Sequence, residues 1–438
     1  MSNVEAEKME KIIALCKRRG FVYQGSEIYG GLAGTWDYGP FGVKLKNNIK
    51  NLWWKRFVDD RSDMYGVDAA ILMNQKVWQA TGHVGGFADP LVECTKCKKR
   101  FRADQLKNKE KCEDCGGKLG AEKQFNLMFK THVGVSEDES SVSYLRPETA
   151  QGIFVNFKNV VDSFHPKLPF GIAQIGKAFR NEISARDFLF RVRELEQMEI
   201  EYFVNEKDWA KYFEEWRINV LNFAKDVGID SEKVHELEVA PEDRAHYSKR
   251  TIDFEFDFPF GRKELYGLAY RTDHDLKSHM RDSGVDLTYF DEETKEKFVP
   301  HVIEPSLGVD RTVLAILSSV YTEDAMGEGG RVFLKFPPAV APVKAAVFPL
   351  MKNKPELVEK ATELFMLLRS KISNVIFDDN GNVGKRYRRQ DEIGTPYCLT
   401  VDYQTLEDGT VTVRDRDTGK QERILIGEAP EYIKARIS

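Results

Sequence analysis

Two short words about 120 residues apart, Gly176-Lys-Ala-Phe-Arg-Asn-Glu182 and Glu304-Pro-Ser-Leu-Gly-Val-Asp-Arg311, constrain this chain more than any other feature. Each sets an arginine, permanently charged and able to fork onto an anionic oxygen, beside carboxylates in an otherwise apolar stretch. A charged loop follows the first word, and then Arg191-Val-Arg-Glu-Leu-Glu-Gln-Met-Glu-Ile-Glu-Tyr-Phe203 reads as a return strand. The second word opens a strongly apolar helix near Thr312. A strand, loop and strand with an arginine on each arm, joined to a Gly-x-Asp-Arg at a helix start, can build a nucleotide site without a glycine-rich phosphate loop. Singly, either word is an ordinary cross-strand ion pair. In this order and on these elements, the two together point to anion chemistry.

At 438 residues the chain exceeds one ordinary core, and two or three domains are expected. No apolar run approaches membrane-spanning length, and residues 1–17 read as a charged helix rather than a signal peptide. A net charge of -5 argues against a generally basic nucleic-acid coat, so any RNA contact must come from local patches. Of six cysteines, four form a paired CxxC set and two are isolated, which is a metal pattern in a reducing compartment. The expectation is a cytoplasmic protein with no membrane contact.

Helical spacing of Leu45, Ile49, Leu52, Trp53 and Phe57 predicts a helix over 43–58, and 64–73 reads as a strand. A turn-rich, Cys-bearing insert interrupts the chain at 93–124. Residues 251–258 alternate Ile252, Phe254, Phe256 and Phe258 against Asp253, Glu255 and Asp257, as in a half-buried strand whose acidic face is solvated. A helix over 207–227 carries Trp209, Phe213, Trp216, Val220, Phe223 and Val227 as its buried stripe, with Asn205 as N-cap. After Pro337-Pro338 the composition shifts. Strands at 345–348, 375–377 and 397–401, helices at 356–372 and 383–390, and a hairpin turning at Asp408-Gly409 predict a small α/β domain.

The arginine words resemble motifs 2 and 3 of the class II aminoacyl-tRNA synthetases. Further words match the homodimeric glycyl type within that family: Tyr38-Gly-Pro, Thr81-Gly-His83, Phe125-Asn-Leu-Met-Phe129, Arg146-Pro-Glu-Thr-Ala-Gln151, Glu264-Leu-Tyr-Gly267 and Arg271-Thr-Asp-His-Asp-Leu276. The resemblance spans the chain. It implies an α+β fold: a class II antiparallel sheet flanked by helices, with a zinc-ribbon-like insert and a C-terminal α/β anticodon-binding domain. The expected divisions are 1–92 with the motif 1 helix, 93–124, 125–337 with motifs 2 and 3, and 338–438. The implied activity is ATP-dependent activation of glycine and its transfer to tRNA(Gly) by a homodimer using Mg²⁺.

For the site, the resemblance implies Arg180, Arg311 and Glu264 as catalytic groups, with Glu264 carrying Mg²⁺ to the phosphates. ATP contacts would be Arg180, Asn181, Glu182, Phe190, Arg191, Val192, Arg193, Glu194, Leu195, Glu264, Leu265, Gly308, Val309, Asp310 and Arg311. Arg180 would meet the α-phosphate, and Arg311 would stack over adenine. Glu148, Glu199, Glu304 and Ser306 would bind the amino acid, and Arg271 its carboxylate or the α-phosphate. Arg102, Leu195, Glu196, Gln197, Met198, Pro305, Leu307 and Gly308 complete the substrate contacts. Three carboxylates and a hydroxyl suit a small ammonium, and rigid acidic walls exclude larger side chains better than an apolar pocket, which separates one methylene by about 1–3 kcal/mol. Two positions depart from the family pattern: Leu195 stands where the return strand usually has Phe, and Gln75 where the motif 1 strand usually ends in Pro.

Cys94-x-x-Cys97 and Cys112-x-x-Cys115, fourteen residues apart, form two knuckles able to close one tetrahedral site. Four thiolates suit structural Zn²⁺ and leave no open position for catalysis. His83 reads equally as structural or functional. In the last domain, Lys385-Arg-Tyr-Arg-Arg389 mixes an aromatic with four cations and is expected to touch the anticodon. Two rivals are a non-catalytic nucleic-acid-binding relative, such as a polymerase accessory subunit, and a class II synthetase for another amino acid. The first tends to lose the phosphate arginines and pocket carboxylates, which are intact here; the Glu-Pro-Ser and Arg-Pro-Glu-Thr words argue against the second.

Overall fold

The computed structural model describes residues 3–106, 108–326 and 330–437. Met1 and Ser2 at the head of the expected first helix, Lys107 in the insert and Ser438 in the last domain lie outside the described residues. The alternation read at 251–258 becomes one strand of a seven-stranded sheet. Its strands are β1 (Met64–Gly66), β2 (Phe170–Phe179), β3 (Glu194–Val204), β4 (Val234–Glu238), β5 (Arg250–Phe258), β6 (Gly261–Thr272) and β7 (His301–Gly308). Their order is β4-β5-β6-β7-β3-β2-β1, antiparallel throughout except for the parallel pair β1 and β2.

Helices α1 (Asn3–Arg19), α2 (Pro40–Trp54), α3 (Trp209–Asp226), α4 (His274–Ser283) and α5 (Val309–Val320) flank this sheet. Helix α2 begins at Pro40, whose fixed φ suits the first helical position, three residues before the predicted start. Its Leu45, Ile49 and Trp53, with Phe57 just beyond, enter the main core beside Phe213, Trp216, Val220 and Phe223 of α3. Asn205 caps as expected, its Oδ1 accepting from Lys207 N at 3.2 Å.

Three local expectations are corrected. The strand predicted over 64–73 stops at Gly66, because the following backbone is claimed by side chains: Arg146 Nη1 donates to Ala69 O at 2.7 Å. Gln75 therefore ends no strand but opens the short helix Gln75–Ala80, capped by Asn74. Asp408-Gly409 is no hairpin turn. Gly409, at φ 69°, closes the helix Tyr403–Asp408, which the Asp402–Thr405 capping box starts.

The C-terminal region folds around its own core. Strands β8 (Ala345–Pro349), β9 (Val375–Phe377), β10 (Tyr397–Val401), β11 (Thr410–Asp415) and β12 (Gln421–Leu425) order as β9-β8-β10-β11-β12. Helices α6 (Pro355–Lys371) and α7 (Val383–Ile393) belong to this region, and β8 runs parallel to both its neighbours. A buried triad joins it to the main body: Asp391 of α7 pairs with Arg331 at 3.3 Å and with Arg414 at 2.8 Å. Among the described residues, no helix is long and apolar enough to cross a membrane.

Candidate active site

Strand alternation decides what faces the cleft. Along β3, Met198, Ile200, Tyr202 and Val204 enter the core, which turns Leu195, Gln197, Glu199 and Glu201 to the other face. The register sets Glu199 opposite Ser306 of β7, and sets Gly267 and Ala269 of β6 opposite Ser306 and Glu304. Two cavities open on this face, one of about 350 Å³ and one of about 270 Å³. Arg180, Gln197, Glu264 and Ser306 line both.

The larger cavity gathers arginines and aromatic rings. Arg180, just past β2, donates from Nε to Pro147 O at 3.0 Å and lies 5.5 Å from the Phe87 ring. Arg311, in the first turn of α5, rests 4.5 Å over the Phe190 ring and reaches Glu264 Oε2 at 3.2 Å. Glu182 is buried 3.9 Å from Arg191, and burial pushes its carboxyl up. Asp310 accepts from Tyr38 Oη at 2.6 Å and from Glu196 N at 2.8 Å. Lys46 and Lys50 of α2 hold the Glu196 carboxylate at 2.7 and 3.0 Å, which ties α2 to the cavity wall.

Of the predicted ATP contacts, Arg180, Glu182, Phe190, Arg191, Val192, Leu195, Glu264, Leu265, Gly308, Asp310 and Arg311 line this cavity. Four do not. Arg193 spends its guanidinium on Ala33 O and Glu182 O, at 2.6 and 3.0 Å. Glu194 is exposed and paired with Lys177 at 2.7 Å, Val309 is in the core, and Asn181 N donates to Leu127 O at 2.7 Å. Arg102 lines the larger cavity, paired with Asp89 at 2.7 Å and Asp104 at 2.8 Å.

The smaller cavity is acidic. Glu148, Glu199, Glu304 and Ser306 line it, as the motif words predict. Gly176 leaves room for Arg146 to lie across β2, since a Cβ there would meet Arg146 Nη2 at 2.3 Å. Arg146 Nε donates to Lys177 O at 2.6 Å, and so the Arg146-Pro-Glu-Thr word is pinned to the sheet. Glu199 accepts from Ser306 Oγ at 2.8 Å and from Thr149 Oγ1. Burial pushes the Glu148 carboxyl up, but His83, 3.4 Å away, Arg271 and Gln151 outweigh it and hold it below the usual range. Burial, then the charge of Glu148, pushes Glu199 up; burial, with Glu199 and Glu148 beside it, pushes Glu304 up despite Arg271.

Arg271 does not line either cavity. Its Nε and Nη2 donate to Asp275 at 2.8 and 2.7 Å, its Nη1 donates to Glu304 Oε1 at 2.7 Å, and its guanidinium lies 3.8 Å from the Tyr247 ring. Its fork is engaged within the protein by Asp275 and Glu304. Met198, Pro305 and Leu307 also miss the cleft, because alternation buries them behind it.

Sequence reasoning missed several groups at the cleft. Thr149, Gln151 and Asp275 sit inside quoted words, and Gln151 Nε2 bridges Glu148 and Asp275 at 3.1 and 3.0 Å. Asp253, read as part of a solvated face, lines the smaller cavity; burial, Glu264 and Glu255 push it up to about 6. The loop bearing Asp243, Arg244 and Tyr247 walls the same cavity and gave no sequence signal.

The cysteine insert adjoins the larger cavity. Its sheet comprises Ala88–Glu93, Arg100–Arg102 and Lys123–Asn126, and Gln105 Oε1 accepts from Arg186 and Arg191, both at 2.8 Å. The sulfurs of Cys94, Cys97, Cys112 and Cys115 all lie within 4.8 Å of one another. The two knuckles repeat one backbone pattern: Lys98 N to Cys94 O at 3.0 Å and Gly116 N to Cys112 O at 2.9 Å, with φ of 62° and 69° at Lys98 and Gly116. This all-thiol set fits a structural zinc ion.

The cationic run on α7 is largely consumed inside its own region. Arg386 is buried and donates to Asp379 O at 2.9 Å and Gly381 O at 2.7 Å, Arg389 pairs with Asp378 at 2.8 Å, and Tyr387 bonds Thr400 at 2.6 Å. Lys385 stays exposed. Arg388 donates from Nη2 to Met326 O at 3.1 Å, while its Nη1 has no partner among the described residues.

Comparison with known proteins agrees with this geometry. Residues 129–320 match the tRNA synthetase class II core domain (G, H, P, S and T), and residues 344–436 match an anticodon binding domain. The chain is 52% identical over 464 residues to a glycine–tRNA ligase of Clostridium acetobutylicum, covering 99% of each. It is 51% identical over 457 residues to that of Acetivibrio thermocellus, covering 98% of each. A structure of Giardia lamblia prolyl-tRNA synthetase in complex with prolyl-adenylate shares the fold, with a TM-score of 0.71 at 18% identity over 97% of this chain and 75% of that one.

Proposed function

The chain belongs to the glycine–tRNA ligases of the class II synthetases, and from that premise we propose that its two cavities are the ATP and glycine halves of one adenylation site. The observation that carries this reading is the shared wall, with Arg180 facing both halves. A glycine carboxylate oxygen attacks the α-phosphorus of ATP in line, pyrophosphate leaves, and glycyl-adenylate remains. A hydroxyl of the terminal tRNA ribose then attacks the glycyl carbonyl, and AMP leaves.

Adenylation requires no protein base, because the attacking carboxylate is already ionised, and in the transfer step the hydroxyl proton passes to the departing AMP phosphate; the residues bind, align and stabilise charge. Arg180 compensates charge growing on the α-phosphate oxygens. Arg311, backed by Phe190 and anchored by Glu264, presents a flat cation to adenine. Glu199 and Glu304 take the ammonium, and Arg271 holds Glu304 in place rather than binding substrate. Glu264 and Asp253 would hold Mg²⁺, which when bound neutralises the phosphates. The four cysteines would hold Zn²⁺ and so stiffen the insert beside the ATP half.

We further divide the chain into a catalytic domain of 1–92 and 125–337, an insert of 93–124 and an anticodon-binding domain of 338–438. We place the enzyme in the cytoplasm as a homodimer that meets tRNA(Gly) through the last domain. Amino-acid-dependent ATP–pyrophosphate exchange, screened over all twenty amino acids, tests the central reading. Glycine alone should support rapid exchange, and a better response to any other amino acid would refute it.

A further inference from the structure

Behind the glycine half stands a carboxyl that lines neither cavity. Glu201, on β3 beyond Glu199 and on the same face, is fully buried, and neither of its oxygens has a hydrogen-bond partner among the described residues. The β3–β7 register pairs Glu199 with Ser306 and Tyr202 with Ile303, so Glu201 falls opposite Glu304. Residues opposite each other in antiparallel strands hold their Cβ atoms about 5 Å apart, so a turn of the side chain brings the two carboxyls together.

The donors nearby are committed elsewhere. Arg271 serves Asp275 and Glu304, Gln151 serves Glu148 and Asp275, and Ser306 and Thr149 serve Glu199. A buried carboxylate without a donor is strongly disfavoured, so the group keeps a proton of its own. Burial, and then the charge of Glu304, both act in that direction on Glu201.

We propose that Glu201 is a positioning residue of the glycine site: as a neutral acid it donates a hydrogen bond to the Glu304 carboxylate, keeping Glu304 charged and fixed against the substrate ammonium. The inference rests on the smaller cavity being the glycine half. The surrounding charged and titratable groups are Glu199 on β3, Glu304 on β7, Arg271 on β6, Asp275 and His279 on α4, Glu148 with His83, and Tyr247 from its loop. When pH falls, Glu304 also takes up a proton, the wall loses its charge, and glycine binds more weakly.

The test is the Michaelis constant for glycine in ATP–pyrophosphate exchange between about pH 6 and 9, in wild type and Glu201→Gln. The amide is neutral like the acid it replaces and still donates to Glu304, so it should rescue the site. In wild type the glycine constant should rise as pH falls across this range, and the Glu201→Gln profile should follow it to within about twofold. The ATP constant should not differ between the two proteins. Glu201→Leu, which removes the donor, should raise the glycine constant about fivefold or more at pH 8 with the ATP constant unchanged; if it fails to fold, Glu201→Met is measured in its place. A glycine constant in the apolar variant within about twofold of wild type, a Glu201→Gln constant raised as far as that of the apolar variant, or glycine and ATP constants rising together, would overturn the proposal. Absence of glycine-dependent exchange in wild type would instead overturn the reading of the site itself.

Discussion

Leu195→Phe should tighten ATP binding. Leu195 faces the larger cavity from β3, opposite the small Ala178 of β2. Across the cavity, Arg311 is held flat, with Phe190 4.5 Å behind it and Glu264 3.2 Å from its guanidinium. A base between positions 195 and 311 therefore meets a guanidinium on one face and only branched aliphatic carbon on the other. An aromatic ring there adds stacking of about 0.5–1.5 kcal/mol beyond its apolar area, equivalent to about two- to twelvefold in the Michaelis constant for ATP. Overpacking opposes this by about 1–3 kcal/mol where neighbours have closed on the smaller side chain. The cavity of about 350 Å³ leaves space for the ring, which favours the gain. The glycine constant should stay constant, because position 195 lies four residues, or about 13 Å of strand, from Glu199. Steady-state pyrophosphate exchange, varying ATP and glycine in turn, measures both constants. A shift in the glycine constant with the ATP constant unmoved would show that this strand does not lie over the adenine.

Arg180→Ala should leave the fold intact and lower exchange turnover by about two decades, near 3 kcal/mol, because the charge it meets develops in the transition state; near-normal turnover in a folded variant would remove its catalytic role. Asp310→Ala leaves Tyr38 Oη and Glu196 N without their acceptor, so a loss of about 2–3 kcal/mol in chemical unfolding is expected, with the ATP constant rising and the glycine constant steady. Cys94→Ser or Cys112→Ser should release zinc, measured by elemental analysis, and loosen the insert whose Gln105 bonds Arg186 and Arg191, raising the ATP constant severalfold. Reduced wild-type protein with no zinc would end that proposal.

Much of the cleft was legible because its chemistry rides on strict periodicity. The Glu199 and Glu304 words place charged side chains within apolar strands β3 and β7, each paired on both edges. Strand β5 and helix α3 were likewise read from alternation and from a buried stripe. The same parity would have excluded Met198 and Leu307 from the cleft, since a strand cannot present consecutive residues to one face. Arg271 is different. Its fate is set by Asp275, four residues on across a turn into α4, and by Glu304 on a neighbouring strand, which sequence distance conceals. The partners of Arg386 and Arg389 in α7 were hidden for a similar reason: Asp378, Asp379 and Gly381 sit in the preceding loop. The placement of the insert beside the larger cavity depends on Gln105, an uncharged residue in a charged segment, which no pattern marks.

The distribution of charge across the proposed site also orients glycine, a substrate with no side chain to grip. The smaller cavity and the groups just behind it hold Glu148, Glu199, Glu304, Asp243, Asp253, Glu264 and Asp275 against Arg180, Arg244 and Arg271; Arg271 is neutralised by Asp275 and Glu304, and Arg244 Nε is spent on Val239 O at 2.8 Å. The larger cavity holds Arg102, Arg180, Arg191 and Arg311 alongside Asp89, Glu182, Glu196, Glu264 and Asp310, of which Asp89, Glu196 and Glu264 are paired with nearby cations. A zwitterion entering between them has one low-energy orientation, ammonium toward the acids and carboxylate toward Arg180. That orientation points the nucleophilic oxygen at the side where the α-phosphate would lie. In a poorly hydrated cleft such a gradient is felt far more strongly than in water, since Coulomb energies scale inversely with the local dielectric. Had Arg271 been free, it would have offered the carboxylate a rival partner at the acidic end and reversed the substrate. Its capture by Asp275 and Glu304 therefore serves orientation as well as the rigidity of the wall. A larger amino acid gains nothing from this field: it would need space among Glu304, Glu199 and Ala269, where side chains bonded to one another cannot retreat without leaving buried charge unpaired.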